Sequence, residues 1–164
     1  MTLRASVASV ASKNDKVKTS AGGADLLYSR RMQFFTVEQA NRTLPLVRRI
    51  VQDIVDQHRR WREAILELDL LASTQRIDEP RDRQDQLERL AQSIAQEIDG
   101  YQRELEGLGI LLKDRRQGLI DFPSMMGGRR VLLCWQLGEP EVAFWHEEDA
   151  GFPGRQRLTE SLVG

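Results

Sequence analysis

Residues 45–72 read Pro-Leu-Val-Arg-Arg-Ile-Val-Gln-Asp-Ile-Val-Asp-Gln-His-Arg-Arg-Trp-Arg-Glu-Ala-Ile-Leu-Glu-Leu-Asp-Leu-Leu-Ala, and their spacing decides the fold class. Val47, Val51, Ile54, His58, Trp61, Ile65, Leu68 and Ala72 recur by alternating steps of 4 and 3, an unbroken heptad seam with one polar member. The same pattern returns at Leu87, Ala91, Ile94, Ile98, Tyr101, Leu105 and Leu108. Between the two seams lies a polar stretch, Ser73 to Arg83, rich in turn formers. Two matched seams joined by a short polar loop predict an antiparallel, coiled-coil-like helical hairpin over 45–108.

On the N-terminal side, Thr36 is a suitable helix cap and Gln39 stands three residues on, the spacing of a capping box. Pro45 is best tolerated in the first turn of a helix, so the expectation is a short helix at 37–43 followed by a long one from 45 to 72. Gly100 falls inside the second seam, and Gly107 and Gly109 end it.

Past the second helix the period shortens. Gly118-Leu119-Ile120-Asp121-Phe122-Pro123 reads as a short strand closed by proline, followed by a loop to Gly128. Arg130–Leu137 and Glu141–Glu147 read as two strands joined by Gly138-Glu139-Pro140. A two-residue loop there would set Cys134 opposite Trp145 and Leu133 opposite His146, and a change of one residue would move both pairs. The expected class is α+β: a long helical hairpin packed at its base on a small, mainly antiparallel, three-stranded sheet at 118–158. Ile110-Leu111-Leu112 is expected to cover that sheet.

The chain of 164 residues balances 24 Lys+Arg against 25 Asp+Glu. The balance conceals a division. Residues 1–31 carry a net charge of +4 and the remainder −5. The first segment is rich in Ala, Ser, Val and Lys without periodicity, which predicts a disordered basic leader. Met32 immediately precedes the first patterned segment and is an alternative initiator, with 32–164 as one domain. The acidic remainder argues against nucleic-acid binding. No apolar run reaches the ~18 residues of a membrane helix. Cys134 is the single cysteine, so no disulfide forms within the chain and a cytoplasmic location is expected.

Two clusters carry candidate chemistry. Trp145-His146-Glu147-Glu148-Asp149 offers His146, Glu147 and Asp149 as ligands for a divalent metal, with Asp121 and Cys134 as the plausible donors from other strands. Gly127-Gly128-Arg129-Arg130 and Gly154-Arg155-Gln156-Arg157, with Lys113-Asp114-Arg115-Arg116, place cations beside glycines in the manner of an anion site. Asp121, Arg129, Trp135 and Arg155 are its candidate ligand-binding residues. His58 reads as a packed seam residue, and no nucleophile–base or paired-acid spacing demands an enzyme. Leu66, Leu70 and Leu71 widen the distal stripe beyond what a two-helix seam uses, which points to a second protomer.

Phe35-Thr36-Val37-Glu38-Gln39-Ala40-Asn41 with Leu44-Pro45, then Lys113-Asp114, Gly118–Pro123, Arg130–Trp135, Gly138-Glu139, Trp145-His146-Glu147 and Gly151–Arg155 follow in that order. This ordered set resembles the bacterial family catalogued as domain of unknown function 2203, over roughly 35–158. The resemblance implies no established activity. It does imply that whatever the family shares lies around the sheet, with Asp121, Trp135, His146, Asp149 and Arg155 its candidates. The sequence thus leads to a cytoplasmic interaction module that self-associates through its hairpin, or alternatively to a ligand or metal site at the sheet end.

Overall fold

The computed structural model describes residues 33–74 and 81–159. The expected leader at 1–31, Met32 and most of the linker between the helices lie outside the described residues. Two helices, α1 (Val37–Thr74) and α2 (Asp82–Gly107), are followed by five strands: β1 (Leu111–Asp114), β2 (Leu119–Met126), β3 (Arg129–Gln136), β4 (Phe144–Glu147) and β5 (Gln156–Arg157). The strands form one antiparallel sheet in the order β1-β2-β3-β4-β5.

The start of α1 is a reciprocal capping box. The Gln39 amide N–H donates to Thr36 Oγ1 at 3.1 Å and the Thr36 N–H to Gln39 Oε1 at 2.9 Å. The expected break at Pro45 is absent, and the helix runs through it. Proline removes one hydrogen bond to residue 41, but Ala40, Leu44, Val47, Ile50 and Val51 on either side are all buried, and their packing keeps both segments in one helix. Asn41 is tied across to the sheet instead, its Oδ1 accepting from the Val142 N–H at 2.8 Å. The helices run antiparallel: Gln57 donates to Glu97 across the pair at 2.6 Å, and Arg83 further out bonds Glu67.

Three strands were expected and five are found among the described residues. Leu111 and Leu112, expected to cover the sheet, are part of it. The brief β5 offers only Gln156-Arg157, too short for a periodic signal. Pro123 does not close β2, which continues to Met126. β1 has already ended at this level, and in its place the Phe35 N–H donates to the Pro123 carbonyl at 2.7 Å. The missing proline N–H therefore lies on the side with no ladder to break. Gly127 (φ 56°) and Gly128 (φ 77°) form the two-residue turn into β3, with left-handed geometry at both positions.

The expected β3–β4 register is overturned by one residue. Leu133 opposes Trp145, Cys134 opposes Phe144 and Leu132 opposes His146. The connection is longer than a tight hairpin. Trp135 Nε1 donates to the Glu139 carbonyl at 3.0 Å, Val142 is buried and pinned by Asn41, and β4 begins only at Phe144.

Alternation then assigns the two faces. Ile120, Phe122, Val131, Leu133, Trp135 and Trp145 join Val47, Val51, Ile54, Ile94, Ile98 and Leu105 of the helices in the main core. Further along the hairpin the packing thins to Ala64, Leu87 and Ala91, bordered by Trp61, Ile65, Leu68 and Leu71. The opposite sheet face carries Leu111, Asp121, Leu132, Cys134, Phe144 and His146.

Candidate metal centre

Three central strands converge on one point of that second face. Asp121 of β2 pairs directly with Cys134 of β3, and His146 of β4 stands opposite Leu132, two residues along from Cys134. A ligand atom from each of Asp121, Cys134 and His146 lies within 4.8 Å of the other two. All three are closed to solvent, at 1%, 0% and 2% exposure. A buried carboxylate, thiol and imidazole are costly to remove from water unless they satisfy one another or hold an ion.

The histidine is oriented for ligation. Its Nδ1 lies 2.7 Å from the Glu147 carbonyl, which can only accept, so Nδ1 carries the proton. That contact turns Nε2 inward, 3.3 Å from both Asp121 oxygens. With Nδ1 protonated, a bare Nε2 would present its lone pair to a carboxylate, so the approach calls for a cation between them, a proton or a metal ion. A backbone carbonyl fixing Nδ1–H while Nε2 is offered is the usual outer-shell device at metal-bound histidines. Asp121 Oδ2 accepts no hydrogen bond. Lys113 Nζ stands 3.7 Å from it.

Burial, and next the negative charge of Asp121, pushes the Cys134 thiol up to about 12, with Arg155 opposing. The sulfur is therefore held as a thiol, a poor nucleophile in that form.

The family model described as an uncharacterized conserved protein, domain of unknown function 2203 (DUF2203), matches residues 33–158. The chain belongs to that family. No curated protein and no solved structure matches it.

The other candidates in this DUF2203 chain lie elsewhere. Glu147 follows His146 and so points to the opposite face, where it pairs with Arg129 at 2.9 Å. Asp149 is exposed in the turn after β4. Trp135 is a core residue, buried beneath the Arg48 guanidinium 5.6 Å from its ring. Arg155 neighbours the cluster without entering it. Its guanidinium stacks 4.2 Å from the Phe144 ring and 4.8 Å from that of Phe152, bonds Glu139 at 2.7 Å, and reaches the Cys134 carbonyl at 3.5 Å. It thereby holds the turn at Phe152–Gly154 against the strands.

The two glycine–arginine segments do not merge into one anion site. Arg129 and Arg155 each have a carboxylate partner, and Arg115 bonds Gln102 and Asp99 of α2. His58 stacks on Trp61 with ring centroids 6.0 Å apart, as a packed seam residue would. Its pKa is lowered by burial and then by Arg62 and Arg115. Among the described residues, no helix is long and apolar enough to cross a membrane.

Proposed function

We propose that the protein is a metal-binding module whose sheet takes one divalent transition ion, zinc foremost, between Asp121, Cys134 Sγ and His146 Nε2. The observation that carries this reading is the buried convergence of three different ligand types, with His146 Nδ1 engaged and Nε2 turned inward. Thiolate with imidazole favours zinc, cobalt or iron over magnesium or calcium. Bonds of about 2.0–2.3 Å in a tetrahedral site set donor atoms roughly 3.3–3.8 Å apart. The Nε2–carboxylate distances of 3.3 Å already match, and all three ligand atoms lie within 4.8 Å of one another. The role is binding rather than nucleophilic catalysis by the cysteine, because Sγ is enclosed and, with an ion bound, engaged as a ligand.

Metal analysis of protein purified without an affinity tag, together with cobalt titration of chelated protein, tests the proposal. Near-stoichiometric zinc or iron, or a sulfur-to-cobalt charge-transfer band lost in both Cys134→Ser and His146→Ala, is expected. No metal, no band and no thermal shift with divalent ions refute it.

A second reading, self-association through the hairpin, is supported by Leu66 and Leu70, exposed at 64% and 63% and one turn apart on α1. Leu71 is half-buried against the small distal cluster and adds less to that face. Light scattering over a concentration series, with Leu66→Gln/Leu70→Gln as comparison, tests it. A concentration-independent monomer rejects it.

A further inference from the structure

Lys113 is the residue left over in the β1–β2 ladder. Leu112 pairs with Ile120 and Asp114 with Leu119, so Lys113 is the extra residue of a β-bulge. Bulges re-aim side chains, and this one is held from its far side. Asp114 Oδ1 accepts from the Arg116 N–H at 2.7 Å and the Gln117 N–H at 2.9 Å, a turn that fixes the chain just after the bulge. The ammonium ends 3.7 Å from Asp121 Oδ2, the oxygen that accepts no hydrogen bond. Its side chain is 41% exposed, whereas the three proposed ligands are enclosed. Lys113 is thus the cation that links the buried cluster to solvent.

Building on the metal reading above, we propose that Lys113 is a tethered cation competing with the metal ion for Asp121 Oδ2, and so sets the affinity of the site. When the site is empty the ammonium faces the carboxylate from the solvent side. When an ion binds, the ammonium must leave that oxygen and swing outward, which its four-carbon stem and its exposure permit. The arrangement makes binding exchangeable, because departure of the ion is met by a charge already in place. A single charge about 4 Å away alters an equilibrium by roughly five-fold with water-like screening and by a thousand-fold with the screening of a protein surface. A lysine this exposed falls toward the lower bound, near ten-fold.

The experiment is a cobalt titration, in competition with a chromophoric chelator, of wild type, Lys113→Met and Lys113→Arg at one pH and ionic strength. Methionine keeps the stem and removes the charge, and arginine keeps the charge. The expected result is about ten-fold tighter binding for Lys113→Met with Lys113→Arg close to wild type. Equal affinity in all three proteins, or weaker binding by Lys113→Met, overturns the role of Lys113 and leaves the metal site standing. Absence of any cobalt signal in all three overturns the metal reading itself. Thermal melts in chelator confirm that each variant is folded before it is titrated.

Discussion

Replacing His146 with leucine, in protein stripped of metal, isolates the energetics of the buried cluster. Asp121 and His146 are 1% and 2% exposed, so neither recovers hydration when the other is removed. Leucine supplies comparable volume but no donor. It strands the Asp121 carboxylate, which loses a nitrogen 3.3 Å from each oxygen, and the Glu147 carbonyl, which loses Nδ1–H. Leaving a buried carboxylate without its partner costs about 3–5 kcal/mol, and the added apolar contact of leucine returns part of it. The expected net loss is about 3 kcal/mol, or roughly 10 °C in Tm for a domain of this size. Asp121→Leu/His146→Leu removes both polar partners and should lie nearer wild type than the single losses add to, with a coupling of at least about 2 kcal/mol. Urea unfolding of the four proteins, in chelator near neutral pH, measures this directly. Additivity within about 0.5 kcal/mol would show that the two side chains do not depend on each other, and the description of the cluster would be wrong.

In protein kept free of metal by chelator, Cys134 predicts an alkaline limit to stability. Its folded-state pKa is pushed up to about 12, so the folded protein keeps a proton that the unfolded chain, with a thiol near 8.5, releases. Stability is full below that lower value and declines above it by up to about 1.4 kcal/mol per pH unit, and Cys134→Ala should flatten this slope in unfolding series run from neutral to alkaline pH. Identical slopes for the two proteins reject the shift. His58 acts at the opposite end: its pKa is lowered by burial, so below about 6.5 the unfolded chain takes up a proton that the folded one resists. Stability therefore falls as the pH drops through that range, and His58→Gln should fall less, as read by thermal melts from neutral to mildly acidic pH. Gly118 has φ 64° and a β-carbon there would stand 2.8 Å from both Val51 Cγ1 and Leu137 Cβ, whereas Gly127 has φ 56° and open space around it. Strain alone should make Gly127→Ala cost about 1–2 kcal/mol, and the added clash should raise Gly118→Ala to about 3–4 kcal/mol; equal costs would contradict the close packing of the sheet on α1.

The helices were legible because each carries an unbroken seam and α1 a start signal as well: the capping box at Thr36 and Gln39 forms as the residues spell it. The break between two helices expected at Pro45 failed for a tertiary reason, since buried neighbours on both sides outweigh one lost hydrogen bond. Strand content was harder to read. β1 looks like a surplus of leucines, and β2 continues past a proline that is harmless only because β1 has already stopped.

The site depended on the one quantity that a sequence specifies most weakly. Val131-Leu132-Leu133-Cys134-Trp135 is apolar on both faces, so β3 has no alternation to fix its register against β4. In the expected register Cys134 would face Trp145, and His146 would fall on the other side of the sheet. The observed slip of one residue brings His146 to the face that Asp121 and Cys134 already share and sends Glu147 away. Hence the donors adjacent in sequence, Glu147 and Asp149, do not join His146, while those from other strands do. What sets the slip is the connection from Leu137 to Ala143, held at one end by Trp135 on Glu139 and at the other by Asn41 on Val142. The chemistry of this sheet is therefore governed by a segment that contributes no ligand, and it passes through Asn41 to the hairpin whose seam first identified the fold.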